Sequence, residues 1–291
     1  MSKSTHPLMQ LLVMVAISMG MMVVTSLLTG VAAFLALLSG GDGSLTMTRE
    51  FLMWTQAITP LLTFAMPVLI TTAIYYRGRQ RDYYKPYFGG SHWLAGLAAV
   101  VVMLLMTPFI EWLSEWNDHW NLGALGESLR SLQDTTEGVL DTITETRTVG
   151  GLLANLVVIA LIPAVTEELF FRCGIQNLLA RWTKNHHIAI WITAAIFSLA
   201  HAEIFSFMPR LLMGAMLGYF YVYGGSVLPN MLAHFVNNAV VVLACWLVAR
   251  MGLDIDIDHP FATGWLLTAS CTLAALLLFA VTFVKRRKAN A

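Results

Sequence analysis

The chain has 291 residues and no formal net charge, and only 12% of its positions are Asp, Glu, Lys or Arg, against 57% apolar and aromatic types. A water-soluble chain needs about twice that charged fraction to cover its surface, so composition excludes a soluble globular protein. The balanced charge gives no footing for a nucleic-acid partner. Nearly uncharged runs of about twenty residues, enough for a helix to cross a bilayer, recur along the whole chain. The expected fold class is all-α, a polytopic membrane protein.

In chain order, eight transmembrane helices are expected, near 8–38, 54–76, 93–112, 149–171, 188–204, 208–224, 226–250 and 263–284. The first is too long for the apolar region of a signal peptide. It also ends at Ser39-Gly40-Gly41 without a small-x-small cleavage site, so it reads as a mature span. With the N-terminus inside, the cytoplasmic connections hold eleven bases: Lys3, Arg77, Arg79, Arg81, Lys85, Arg181, Lys184, Lys285, Arg286, Arg287 and Lys288. The opposite side holds five, Arg49, Arg130, Arg147, Arg210 and Arg250, with Arg172 at a span boundary. Both termini are therefore expected in the cytoplasm.

The connection 113–148 is acidic and falls outside, as do Asp254, Asp256 and Asp258. Within it Leu125, Leu129, Leu132, Thr136, Val139 and Ile143 share one side of a helix, which predicts an amphipathic helix lying on the outer surface or capping the bundle. Trp112, Trp116 and Trp120 fit an interfacial aromatic belt better than a substrate platform. Cys173, Cys245 and Cys271 lie in apolar runs without paired spacing, which supports neither disulfides nor a thiolate metal site. No repeat or linker divides the chain, so 1–291 reads as one membrane domain.

An ionisable residue deep in a span costs about 2.5–3.5 kcal/mol even on the lenient insertion scale, so each needs a partner or a task. After an uncharged run the fourth span presents Glu167 and Glu168, with Arg172 four residues beyond the second. Glu168 and Arg172 have the better i,i+4 ion-pair order, and Glu167 is rotated about 100° away toward a cavity. Burial beside a second carboxylate suits Glu167 to general-base work, whereas the plainer reading is a helix end with two snorkelling acids. The fifth span places Phe197 and His201 on one face; the seventh carries Asn230, His234 and Asn238 as a polar stripe. A lone intramembrane His or Asn is usually interhelical glue. Three spans with polar faces together make an acid–base site with an anion-stabilising side. One Glu and two His could ligate zinc, but there is no His-Glu-x-x-His, and His201-Ala202-Glu203 lacks a downstream Pro-Cys-x-x-Cys. No Gly-x-Ser-x-Gly is present, and Ser198 before His201 lacks an orienter, which leaves water activated by a glutamate.

Glu167-Glu168-x-x-x-Arg172, Phe197-x-x-x-His201 and His234-x-x-x-Asn238, in that order, resemble the CPBP (ABI) intramembrane endopeptidases, which include the type II CAAX prenyl endopeptidases. Gly214-x-x-x-Gly218 fits the same pattern, and the resemblance covers a catalytic core of about 149–250. It implies an eight-helix fold that cleaves membrane-anchored proteins or peptides near a lipid-anchored or embedded C-terminus. It further implies that Glu167 and His201 activate the water, that His234 and Asn238 stabilise the oxyanion, and that Glu168 and Arg172 orient the site. The residue set resembles a glutamate-type hydrolase with no obligatory metal and no cofactor. Two competing classes are a non-catalytic membrane binding or immunity protein and a proton- or ion-coupled transporter. The transporter predicts inverted-repeat hydropathy, which the chain lacks. One feature resists this scheme. His201 lies about 20 Å from the cytoplasmic start of its span but Glu167 only about 6 Å from that face, at 1.5 Å per residue. Tilt, or a broken fifth helix near Phe205–Pro209, is needed to bring them together.

Overall fold

Every regular element among the described residues is helical. The computed structural model describes residues 5–38, 48–88, 93–252 and 265–284. Lys3, Ser39-Gly40-Gly41, Asp254, Asp256, Asp258 and the basic run Lys285, Arg286, Arg287, Lys288 lie outside the described residues. The helices are α1 (Pro7–Leu38), α2 (Arg49–Tyr75), α3 (Gln80–Phe88), α4 (Trp93–Asp118) and α5 (Gly123–Thr144). They continue as α6 (Val149–Thr183), α7 (His186–Leu199), α8 (Phe207–Gly224), α9 (Leu228–Met251) and α10 (Trp265–Phe283). Local chemistry sets several boundaries. Thr48 and Thr148 accept from the backbone N–H of Phe51 and Gly151, Asn185 caps His187 and Ile188, and Gly225 and Gly252 end α8 and α9 in the left-handed region.

Six helices, α1, α2, α4, α6, α9 and α10, are long and apolar enough to cross a membrane. With their apolar side chains exposed along the outside of the bundle, they make the protein an integral, multi-pass membrane protein. α7 and α8 fall outside that measure: α7 is a shorter apolar helix, and the two are separated by the break that carries His201. The amphipathic helix expected within 113–148 is present as α5, and its inward face keeps only part of the expected stripe: Ile143 is buried and Leu129, Thr136 and Val139 are partly buried. Gly126, Gln133 and Ile143 are buried, whereas Leu125 and Leu132 are 66% and 50% exposed. Two polar contacts tie the helix to the bundle: Arg49 Nε donates to the Ile143 carbonyl at 2.9 Å, and Arg130 pairs with Asp118.

The fourth span differs most from expectation. It continues twelve residues past Phe171, to Thr183, because Arg172 does not mark a boundary; the guanidinium is wholly buried. Glu167 thus stands sixteen residues from the end of α6, about 24 Å, and His201 fifteen residues from the start of α7, about 22 Å. The two helix-end distances are similar, so the depth mismatch disappears.

Close helix contact frames this layer. Gly214 and Gly218 face α7, where an added Cβ would meet Ala194 at 3.2 Å and Ile190 at 2.9 Å. Leu11, Met14, Val68, Phe170, Phe171 and Phe197 belong to one core cluster. At one end of the bundle α3 is docked by Tyr83, whose hydroxyl donates to the Cys173 carbonyl at 2.7 Å, and by Tyr87, which accepts from Asn177. Burial pushes both phenols above their ordinary range, so both remain protonated.

Candidate active site

Two wide turns shape the stretch of α6 that bears the carboxylates. Residues Leu156–Leu161 and Glu168–Gln176 are π-helical, a form that accumulates at functional positions. Pro163 follows the first and has no N–H to return to the Ile159 carbonyl. At the start of the second, Arg172 Nε donates to Glu168 Oε2 at 3.0 Å with both side chains 0% exposed. Asn230 Nδ2, on α9, donates to the same oxygen at 3.2 Å, and His234 Nδ1 donates to Glu168 Oε1 at 3.2 Å. Glu168 is therefore an anchored carboxylate, held by a guanidinium, an amide and an imidazole. Desolvating such a pair is costly, and the extra hydrogen bonds are what make it tolerable.

Glu167 has the opposite environment. It is 7% exposed, its Oε2 is buried, and that oxygen has no hydrogen-bond partner among the described residues. The nearest charge partner is His234, whose Nε2 stands 3.8 Å from Glu167 Oε2, too far for a direct hydrogen bond. The imidazole of His234 thus spans the two glutamates, locked to one and facing the other.

Phe197 is the hub on the α7 side. Its ring lies 4.8 Å from that of His201, 6.2 Å from that of His234 and 5.1 Å from that of Phe171, and the Arg172 guanidinium stands 5.6 Å from its centroid. His201 sits in the turn just after α7 and donates Nδ1–H to the Phe197 carbonyl at 2.8 Å, and its Nε2 makes no hydrogen bond with the described residues. No hydrogen bond joins His201 to either glutamate. Ala202, next in the chain, has φ +56°. That left-handed conformation costs a residue with a Cβ about 1–2 kcal/mol and must be held by its surroundings.

The site residues expected from sequence thus fall into two groups. Glu167, Glu168, Arg172 and His234 converge directly, with Asn230 joining them. His201 approaches through Phe197. Asn238 is one turn further along α9, half-buried, with Nδ2 3.5 Å from the Ile159 carbonyl. Ser198 is engaged elsewhere, donating Oγ–H to the Phe207 carbonyl at 2.7 Å. Among the described residues no three His, Cys, Asp or Glu side chains converge as a metal-binding set. A cavity of about 850 Å³ between α4 and α10, walled by Phe109, Trp112 and Trp265, contains none of the six expected site residues.

Residues 149–240 match the family model described as type II CAAX prenyl endopeptidase Rce1-like, which bears out the resemblance read from the motifs. All six expected site residues fall within that segment. Comparison with curated proteins and with solved structures gave no match.

Proposed function

We propose that this member of the Rce1-like endopeptidases hydrolyses peptide bonds of membrane-anchored proteins or peptides with water activated by Glu167. The observation that carries the reading is the contrast between two adjacent carboxylates. Glu168 is held by Arg172, Asn230 and His234, while Glu167 is buried beside them with an oxygen free to take a proton. Pairs of carboxylates in unlike surroundings divide structural and proton-transfer work in this way.

In the reaction, water held between Glu167 and His201 Nε2 attacks the scissile carbonyl carbon and gives a proton to Glu167. The oxyanion of the tetrahedral intermediate is met from α9 by His234 and Asn238. Collapse breaks the C–N bond as Glu167 returns the proton to the leaving amine. Glu168 and Arg172 fix His234 and with it the geometry of the site. The resident partners are the bilayer and a lipid-anchored or embedded polypeptide, and α7 and α8 complete an eight-span arrangement.

A glutamate-type mechanism requires no metal. Activity should survive prolonged chelation with sub-stoichiometric zinc in the purified protein, and added zinc should inhibit by occupying Glu167 and His201. Activity lost to chelator and restored by one equivalent of zinc, checked by metal analysis alongside the assay, would contradict it.

The sidedness of the bundle supports termini in the cytoplasm. Gln10, Tyr76 and Arg181 are joined at one end, with Tyr76 Oη donating to Gln10 and Arg181 donating to Tyr76. Arg49, Arg130, Arg210 and Arg250 are engaged at the other. With a cysteine-free background, cysteine introduced at Ser128 should react with a membrane-impermeant reagent on intact cells and cysteine at Ala289 should not. The reverse labelling would invert the orientation.

A further inference from the structure

The break between α7 and α8 is bracketed by a residue outside the matched segment. Asn117, near the end of α4, is 0% exposed. Its Nδ2 donates to the Ile204 carbonyl at 3.1 Å, and its Oδ1 accepts from Met208 N–H at 2.7 Å. Met208 is in the first turn of α8, where N–H groups have no partner within the helix. One amide therefore closes both sides of the turn at residues 204–206, a task that needs a donor and an acceptor on one short side chain. Other contacts surround the same turn: Ser198 Oγ to the Phe207 carbonyl, the Glu203–Arg210 pair, and the Arg130 guanidinium 3.6 Å above the Phe205 ring.

These contacts leave His201 and the strained Ala202 in a segment tied at Ser198 and again from Ile204 onward. Apart from its own backbone turn and the Phe197 carbonyl, the structure gives His201 no hydrogen bond. Its position is inherited from the two tied ends.

We infer that Asn117 is a positioning residue for His201, acting through the backbone of residues 203–208 to hold the imidazole at the depth of Glu167. The inference rests on the role proposed for His201, but the placement of the imidazole can be measured without any substrate. Asn117→Leu removes both polar ends at similar volume, and Asn117→Asp keeps the acceptor and loses the donor.

In the full chain in micelles, both variants should lower kcat about 10–100-fold, the scale of a sub-ångström to ångström misplacement, with KM changed less than about twofold. In a His201→Ala background Asn117→Leu should change the residual rate less than about twofold, because what it positions is already gone. Side-chain ¹⁵N NMR of labelled histidines, with His201 assigned by its loss in His201→Ala, supplies the substrate-free readout. The parent should show one Nδ1–H form for His201; Asn117→Leu should split or broaden it while leaving His234 unchanged.

The inference is overturned if the His201 resonance is unaltered by Asn117→Leu, or if the variant slows the His201→Ala protein as much as the parent. If Asn117→Leu fails to fold, Asn117→Asp and Ser198→Ala carry the same comparisons. A parent protein that cleaves no membrane peptide defeats the proposed reaction, while the resonance of His201 still decides the role of Asn117.

Discussion

Glu167→Gln should lower kcat for membrane-peptide cleavage by about 10²–10⁴-fold, the range attributable to a lost general base, with little change in KM. The substitution preserves size and removes only the capacity to take and return the proton. The buried Glu167 oxygen has no hydrogen-bond partner to lose, so Tm in micelles should hold or rise slightly. Single-turnover kinetics together with thermal unfolding would check this, and wild-type cleavage by a folded Glu167→Gln protein would end the proposed mechanism.

Arg172→Leu should be the most destabilising single change in the site. It leaves Glu168, 0% exposed, with an amide and an imidazole but no guanidinium. Removing one member of a buried pair typically costs about 3–5 kcal/mol, because the remaining charge stays desolvated. Neutralising the orphan should reverse most of that cost, so Glu168→Gln combined with Arg172→Leu should recover much of the lost Tm. Activity should not return, since His234 would then lack the carboxylate that fixes its Nδ1. A double variant as unstable as Arg172→Leu alone would show that the ion pair is not the source of the loss.

The contrast between these variants bears on what sequence can disclose. Spans made of uninterrupted apolar runs were legible because lipid demands that pattern over a set length. The end of the fourth was not. Arg172 carries a charge and so resembles a membrane boundary, and only the structure shows that its side chain is wholly buried within the bundle. Glu168 and Arg172 could be paired from their spacing alone, because helix geometry makes i,i+4 neighbours regardless of fold.

Non-local pairings had no such signal. Nothing in the spacing of Asn117 connects it to a turn whose Ile204 lies 87 positions further on, and nothing in the sequence around Arg130 points to Phe205 in the same turn. The apolar stripe of α5 misled for a related reason. Periodicity reports which residues share a side, but not how that side is centred on the bundle, and Leu125 and Leu132 face outward while Gly126 and Gln133 are buried. The central position of Phe197 was half legible: its spacing placed it beside His201, whereas its contacts with Arg172 and His234 depend on how α6, α7 and α9 meet.

The most direct test of the whole account is to incubate the purified full chain in lipid vesicles with a library of membrane-anchored peptides and map cleaved bonds by mass spectrometry, in parallel with Glu167→Gln. The account predicts internal peptide bonds cut near the anchored C-terminal end by the parent and left intact by the variant. A folded parent that cuts no bond in the library, or a Glu167→Gln protein that yields the same fragments at the same rate, would contradict it.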